Sequence, residues 1–324
     1  MGALAKPRVQ FNAESHEAAI FAVDAVAGLT RTPKCIPPKY FYDQEGSRLF
    51  EEITRQPEYY PTRCELEILR AHAGKMAALI PDGAVLIEFG SGSATKAKIL
   101  LDAAAAKLAA YVPVDISGEF LEREAAELRK AFPALTVAPV AADFMQPFDL
   151  PMIAANKPRV GFFPGSTIGN LEPHDAAAFL KHACLLLGDN SLLIIGVDLV
   201  KDVDILNAAY NDKAGITEAF NFNLLDRMNR ELAADFKRET FEHHAFYNRE
   251  RRRIEMHLAS LKRQKVRVAG QVIDFRAGDT IHTENSYKYT PGSFSALARG
   301  SRWTPVEIWT DSQNLFAVYA LVRK

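Results

Sequence analysis

Between Thr62 and Val200, short apolar runs alternate with stretches of helical periodicity. Thr62-Arg63-Cys64-Glu65 reads as a capping box that opens a helix to Leu79, since Thr and Glu three apart can satisfy each other's backbone N–H groups. The apolar run Ala84–Phe89 follows, then a glycine-rich turn and a helical stretch Thr95–Leu108. Further strand-like runs lie at Tyr111–Val114, Leu135–Ala141, Val160–Phe163 and Ser191–Val197. Ser117 is placed to cap a helix that closes before Pro133, and Asp175–Leu187 carries another helical pattern. Strands separated by helices of this length need crossover connections, so the pattern predicts a parallel sheet with helices on both faces.

After Val200 the pattern changes. Polar helices, including Ile216–Asp235, give way to alternating strands such as Arg253–Leu261 and Lys265–Val272. The stretch up to Ser286 is too long for a loop and has its own apolar positions, which predicts a second domain. The N-terminal segment up to Pro61 is expected to join it. Thr304–Trp309 and Leu315–Val322 flank the turn Asp311-Ser312-Gln313-Asn314 and predict a hairpin at the sheet edge.

Composition narrows the function. With 324 residues the chain has room for two domains. Lys and Arg number 39 against 40 Asp and Glu, a net charge of −1, so no basic surplus points to nucleic acid or an anionic membrane. No apolar run approaches the roughly 18 residues of a membrane span. The N-terminus lacks the apolar run of a signal peptide, and Lys6 stands where myristoylation would want Ser or Thr. The cysteines (Cys35, Cys64, Cys184) are three in number and widely spaced, which fits a reducing cytoplasm and neither a disulfide framework nor a thiolate zinc site. The histidines form no His-Glu-x-x-His helix, and His243-His244 are adjacent and point apart, so no metal is expected.

Ligands of open parallel sheets bind at the carboxyl ends of the strands. The first such end reads Glu88-Phe89-Gly90-Ser91-Gly92-Ser93-Ala94-Thr95-Lys96. Thr95 stands where a dinucleotide fingerprint needs its third glycine, which argues against a nucleotide-dependent oxidoreductase. An acidic residue followed by Gly-x-Gly suits a nucleoside without a pyrophosphate, such as S-adenosylmethionine. Asp115 closes the second strand, where a carboxylate can accept from both ribose hydroxyls. Asp143 closes the third and can accept from the adenine amine, with Phe144 offering its ring or N–H to the base. The fourth end, Pro164-Gly165-Ser166-Thr167-Ile168-Gly169-Asn170, places bare backbone at Gly165 and an amide at Asn170 beside the position of a methyl donor's reactive end.

These residues resemble a specific family, the S-adenosylmethionine-dependent histidine Nα-methyltransferases that make hercynine in ergothioneine biosynthesis. The resemblance runs from about Leu29 to the C-terminus. It rests on Pro37-Pro38-Lys39-Tyr40-Phe41-Tyr42-Asp43, Pro57-Glu58-Tyr59-Tyr60-Pro61-Thr62-Arg63, Gly165 to Asn170, Asp198-Leu199-Val200-Lys201-Asp202, Ala209-Tyr210-Asn211-Asp212, Ile254-Glu255-Met256 and Thr283-Glu284-Asn285-Ser286. It implies an α/β fold: a class I Rossmann-like methyltransferase domain (62–200 and 287–324) with a C-terminal antiparallel hairpin, plus an α+β substrate-binding domain (10–61 and 201–286). It implies that Tyr42, Gly90, Lys96, Asp115, Asp143 and Phe144 surround S-adenosylmethionine, whose product is S-adenosylhomocysteine. Tyr59, Gly165, Asn170, Tyr210, Met256, Glu284 and Ser286 are implied for the substrates, L-histidine and its mono- and dimethyl forms. A cytoplasmic monomer is expected. Ser93 and Lys96 follow the family pattern, whereas His257 and Tyr287 depart from it in ways that alter pocket packing.

The chemistry agrees with this assignment. Glu284 and Ser286, two apart in an extended segment, share a face. The carboxylate can accept an imidazole N–H while the hydroxyl serves the other ring nitrogen. Asn170 and Tyr210 can hold the α-carboxylate by neutral hydrogen bonds, with Tyr59 bordering the imidazole and Tyr60 at the edge of the core. Tyr42 is the expected catalytic side chain, as proton relay and as a ring facing the methylated amine. The alternative substrate is another amino acid such as tryptophan, whose indole cannot use a carboxylate and a hydroxyl on two ring nitrogens. A non-catalytic adenosylmethionine-binding protein would have no use for Asn170, Tyr210 and Glu284 together.

Overall fold

The computed structural model of the chain describes residues 13–92 and 94–323, without the side chains of residues 13–17 and 119. Ser93 and the N-terminal leader positions, Lys6 among them, lie outside the described residues. In chain order the elements are α1 (Ala13–Thr30), β1 (Lys34–Cys35), α2 (Gln44–Ile53), α3 (Tyr60–Leu79), β2 (Ala84–Phe89), α4 (Thr95–Ala104), β3 (Leu108–Asp115) and α5 (Gly118–Ala131). Then come β4 (Thr136–Val137), β5 (Val140–Ala141), β6 (Arg159–Phe163), α6 (Pro173–Leu187), β7 (Leu192–Asp198), α7 (Val203–Tyr210) and α8 (Ile216–Glu231). The chain ends with β8 (Phe241–Asn248), β9 (Arg253–Ser260), β10 (Gln264–Val268), β11 (Gln271–Phe275), β12 (Thr280–Tyr287), α9 (Pro291–Gly300), β13 (Thr304–Thr310) and β14 (Phe316–Val322). Among the described residues, no helix is long and apolar enough to cross a membrane.

Contacts divide the chain into two compact units. The larger holds residues 42–219, 245–255 and 285–324. Its sheet runs β13-β14-β7-β6-β2-β3-β4, with β5 also paired to β3. The pairs among β2, β3, β4, β5, β6 and β7 are parallel, whereas β14 runs antiparallel to β7 and β13 antiparallel to β14. This is the Rossmann-like order that the resemblance implies, with the expected hairpin at the sheet edge. All six residues of β2 are buried, as an apolar strand inside a doubly covered sheet requires. Phe89, Phe163, Phe179, Phe294 and Trp303 fill the core on one side, and the Trp303 indole N–H donates to Leu180 O at 2.8 Å.

The smaller unit holds residues up to 41, 220–244 and 256–284. Phe21 stacks on Tyr40 with centroids 4.1 Å apart, Phe41 stacks on Phe220 at 4.4 Å, and Phe236, Phe241 and Phe275 form a third aromatic cluster. The Asn221 amide donates to His257 O, and Thr283 Oγ1 donates to Asn221 Oδ1 and Met256 O. By contacts, residues 42–61 and 201–219 group with the sheet, while β8, β9 and β12 contribute residues to both units.

Several expected elements shift. Leu135–Ala141 is two short strands separated at Pro139, which has no N–H for the ladder. Helix Thr95–Leu108 stops at Ala104, and Leu108 already starts β3. The run Lys265–Val272 is a hairpin: β10 and β11 join through Ala269 and Gly270, with φ of 48° and 79°. The helix expected to reach Asp235 ends at Glu231, two residues before Ala233 turns to φ 48°. The Thr62 capping box is absent. α3 begins at Tyr60 with Pro61 in its first turn, so Thr62 is already inside the helix and Glu65 is released for another task.

Candidate active site

At the tip of β2 the chain turns through Gly90, φ 70°. The N–H groups of Gly90 and Ser91 both donate to Val114 O, at 2.9 and 3.0 Å, tying the tips of β2 and β3 together. A Cβ on Gly90 would lie 3.3 Å from the Phe144 ring, so the strand tip and that ring need a glycine between them. A Cβ on Gly92 would meet nothing within 4 Å. Phe144 is fixed edge-on against Phe163 and Phe179. Asp115 Oδ1 accepts from Ser117 N at 2.9 Å, and burial pushes its carboxyl up to about 6. The Ser117 side chain makes no cap bond, so the acid rather than the expected serine steadies the entry to α5. Asp143 Oδ1 accepts from Met145 N at 2.9 Å. Each carboxylate keeps acceptor capacity beyond its local bond. A bare strand tip, an aromatic ring and two tethered acceptors are what an adenosyl group requires, so these residues fit S-adenosylmethionine.

Two acids beside this tip take up contacts that their sequence motifs did not indicate. Glu88 is buried, accepts from Ser91 Oγ and from the Tyr111 hydroxyl, and is pushed up to about 7 by burial. Glu65 on α3 is 1% exposed. Both of its oxygens accept from Gly165 N at 2.9 Å, and it pairs with Lys96 Nζ at 2.6 Å. Gly165 has φ 82°, and a Cβ there would lie 3.3 Å from Lys96 Nζ. Glu65 thus joins Lys96, expected at the methyl donor, to Gly165, expected at the substrate.

The amino-acid side gathers around a buried polar network. Tyr210 OH donates to Ser286 Oγ at 2.8 Å, and Lys288 Nζ donates to Ser286 Oγ at 2.7 Å and to Tyr210 OH at 3.3 Å. Lys288 also lies 2.8 Å from Asp198 Oδ2, at the end of β7. Asp198 accepts from Tyr60 OH at 2.7 Å and from Lys201. Burial works against the Asp198 charge, but Lys288 and Lys201 outweigh it and hold the carboxyl below its ordinary range. Burial lowers Lys201 to about 8, whereas for Lys288 the attraction of Asp198 overcomes burial and raises it. Tyr60 is therefore a network member rather than an edge residue. The Tyr210 proton, expected to reach a substrate carboxylate, goes to Ser286 here.

Asn170 Nδ2 donates to Asn285 O at 2.7 Å, steadying β12 just before Ser286. Rings link Tyr42 to Phe50 (5.7 Å), Phe50 to Tyr59 (6.3 Å) and Tyr59 to Tyr210 (6.4 Å), so Phe50 connects two expected site residues. Tyr287 donates to Glu172 at 2.6 Å and accepts from Arg253 at 2.7 Å. Met256 and Glu284 belong to the smaller unit: Met256 is buried in β9 and Glu284 is half-buried in β12. His257 stacks on His282 there, centroids 4.6 Å apart.

Residues 21–323 match a family model described as histidine-specific methyltransferase, SAM-dependent. The chain belongs to that family. It is 42% identical over 305 residues to the histidine N-alpha-methyltransferase of Mycolicibacterium smegmatis, covering 93% of this chain and 94% of that one. The Mycobacterium tuberculosis protein of the same name is 40% identical, covering 91% and 92%. Ergothioneine biosynthesis protein 1 of Neurospora crassa is 33% identical over 90% of this chain, which spans 33% of that longer protein. In this histidine-specific methyltransferase, the Tyr210–Ser286–Lys288 network holds two hydroxyls on a buried cation.

Proposed function

We propose that this protein transfers three methyl groups from S-adenosylmethionine to the α-amino group of L-histidine, giving hercynine, as the first step of ergothioneine biosynthesis. The observation that carries this reading is the match, along nearly the full length of both chains, to two relatives named for histidine Nα-methylation. Asp115 takes the ribose hydroxyls, Asp143 and Phe144 take the adenine, and Gly90 gives the backbone room, with Lys96 and Tyr42 bordering the donor. When bound, S-adenosylmethionine supplies an electrophilic methyl group on its sulfonium sulfur.

The chain's own task is to bind and align. The second amide N–H of Asn170 takes the α-carboxylate beside the Gly165 turn, Tyr59 and Met256 border the imidazole, and Glu284 and Ser286 recognise its nitrogens. Tyr210 acts through Ser286. Alignment of a neutral amine with the methyl group supplies several kcal/mol of the barrier reduction. An ammonium has no lone pair, and each of the first two products is again an ammonium, so a proton leaves before each of the three transfers, through Tyr42 or water. The last product is a fixed cation, which the Tyr42 ring stabilises by about 0.5–2 kcal/mol.

The test is incubation of purified protein with S-adenosylmethionine and each amino acid in turn, with mass detection of products. Histidine should gain one, two and three methyl groups. Methylated tryptophan with unchanged histidine would reject the assignment.

A further inference from the structure

The polar network around Ser286 restricts what that hydroxyl can do. A hydroxyl has one proton to give and two lone pairs to receive. Lys288 Nζ, an ammonium that can only donate, occupies one lone pair at 2.7 Å, and Tyr210 OH occupies the other at 2.8 Å. Tyr210 has itself received a hydrogen bond from Lys288 at 3.3 Å, which directs its proton to Ser286. Ser286 is left with its O–H alone, so it meets a substrate as a donor.

The surrounding charge acts the same way. Lys288 is fully buried at the end of β12, and Asp198 of β7 is its carboxylate partner at 2.8 Å. Asp198 is shared with Lys201, so two ammonium groups face one carboxylate, a formal surplus of +1. Other titratable groups around this centre include Tyr60 and Cys64 of α3, Tyr59 before that helix, Tyr210 of α7 and Tyr247 of β8, with Arg249 and Arg252 adding positive charge beside Tyr247. Glu284 precedes Ser286 by two residues on β12.

We propose that Lys288 and Tyr210 make Ser286 an obligate donor and that the site therefore selects histidine with a neutral imidazole, its unprotonated nitrogen facing Ser286. This rests on the proposed use of Ser286 for the ring. A neutral imidazole has one N–H, for Glu284, and one bare nitrogen, for Ser286. An imidazolium carries N–H on both nitrogens, so it would set a donor against the Ser286 donor, a mismatch that the Glu284 carboxylate on the other nitrogen does not relieve. Lys288 is a positioning residue: it acts on the substrate through Ser286 and through the charge it brings.

The test is nitrogen NMR of L-histidine labelled at both ring nitrogens, bound to protein saturated with S-adenosylhomocysteine, between pH 5 and 7.5. Free imidazole titrates near pH ~6.5. The bound ring should keep one bare and one protonated nitrogen to at least one pH unit lower, equivalent to a tenfold or greater preference for the neutral form. Lys288→Met should raise the bound titration midpoint by about a unit, Lys288→Arg should restore it, and Ser286→Ala should also raise it. A wild-type complex with both ring nitrogens protonated at pH 6 overturns the proposal, whether or not the variants fold. If such a complex still yields trimethylated histidine, only this inference fails. If the wild-type protein neither binds nor methylates histidine, the functional reading fails and this one with it.

Discussion

Asp115 carries a testable conflict between fold and ligand. Burial pushes its carboxyl up to about 6, so the folded chain resists the charge that the unfolded chain accepts near 3.8. The unfolded state therefore holds fewer protons between these values, and this group's contribution to stability falls as pH rises from about 3.8 to 6. Donor binding runs the other way, because only the carboxylate can accept from both ribose hydroxyls. Calorimetric titration with S-adenosylhomocysteine should show affinity falling as pH drops through about 6. Asp115→Asn should weaken binding and flatten that limb. Glu88, pushed up to about 7 under the same strand tip, is the competing source, and Glu88→Gln should leave the limb near 6 in place. A limb that disappears with Glu88→Gln and survives Asp115→Asn would remove Asp115 from the ribose.

The approach of α3 to β7 depends on one missing side chain. A Cβ at Gly196 would lie 2.1 Å from Glu65 Oε1, closer than any real contact, so Gly196→Ala must drive the buried carboxylate off Gly165 and Lys96. Lys96 is 20% exposed and can turn to water, which places the cost nearer the ~1–3 kcal/mol of a lost buried hydrogen bond than the ~3–5 of a broken fully buried pair. Glu65→Ala clears the space, so the two substitutions should be strongly non-additive in urea unfolding, and each should raise the KM for S-adenosylmethionine about tenfold. Additive losses, or an unchanged KM, would reduce Glu65 to a packing residue. The same helix shows where sequence reading succeeds and stops. β2, β6 and β7 were legible because strands buried on both faces read as continuous apolar runs. Thr62-Arg63-Cys64-Glu65 matches a capping box locally, but Pro61 and Tyr60 start the helix earlier, and the partner of Glu65 lies 100 residues away. The β10–β11 turn was hidden because Ala269 gives no composition signal of its positive φ. Glycines and acids at strand tips stood out in the sequence because a tight turn and a local acceptor need those residue types, and Gly90, Asp115 and Asp143 fill those places. Lys288 and Lys201 were given no role, and Tyr60 was placed at the edge of the core, because an ordinary lysine or tyrosine shows no sign of burial until distant elements converge on it.

At the scale of the whole chain, the two ligands should leave separate marks. A ligand that binds only the folded state slows opening of the segments it holds, by an amount set by its concentration relative to its Kd. S-adenosylhomocysteine alone should slow amide exchange in peptides spanning 88–96, 115–118 and 142–146, the loops that leave β2, β3 and β5. Adding histidine should extend protection to 207–212 and 283–289, where Tyr210, Glu284, Ser286 and Lys288 reside, and to the loop 164–170. Asp198 and Lys288 are buried and paired, and their amides donate to Ser166 Oγ and Arg252 O, so the amides at 198 and 288 should exchange slowly throughout and report the fold rather than occupancy. Mass-resolved hydrogen exchange distinguishes the alternatives directly. Histidine protection confined to segments before residue 61, with 207–212 and 283–289 unchanged, would move the amino-acid site away from Ser286. Protection of both sets by the donor product alone would mean that the two halves of the site close together before any amino acid arrives.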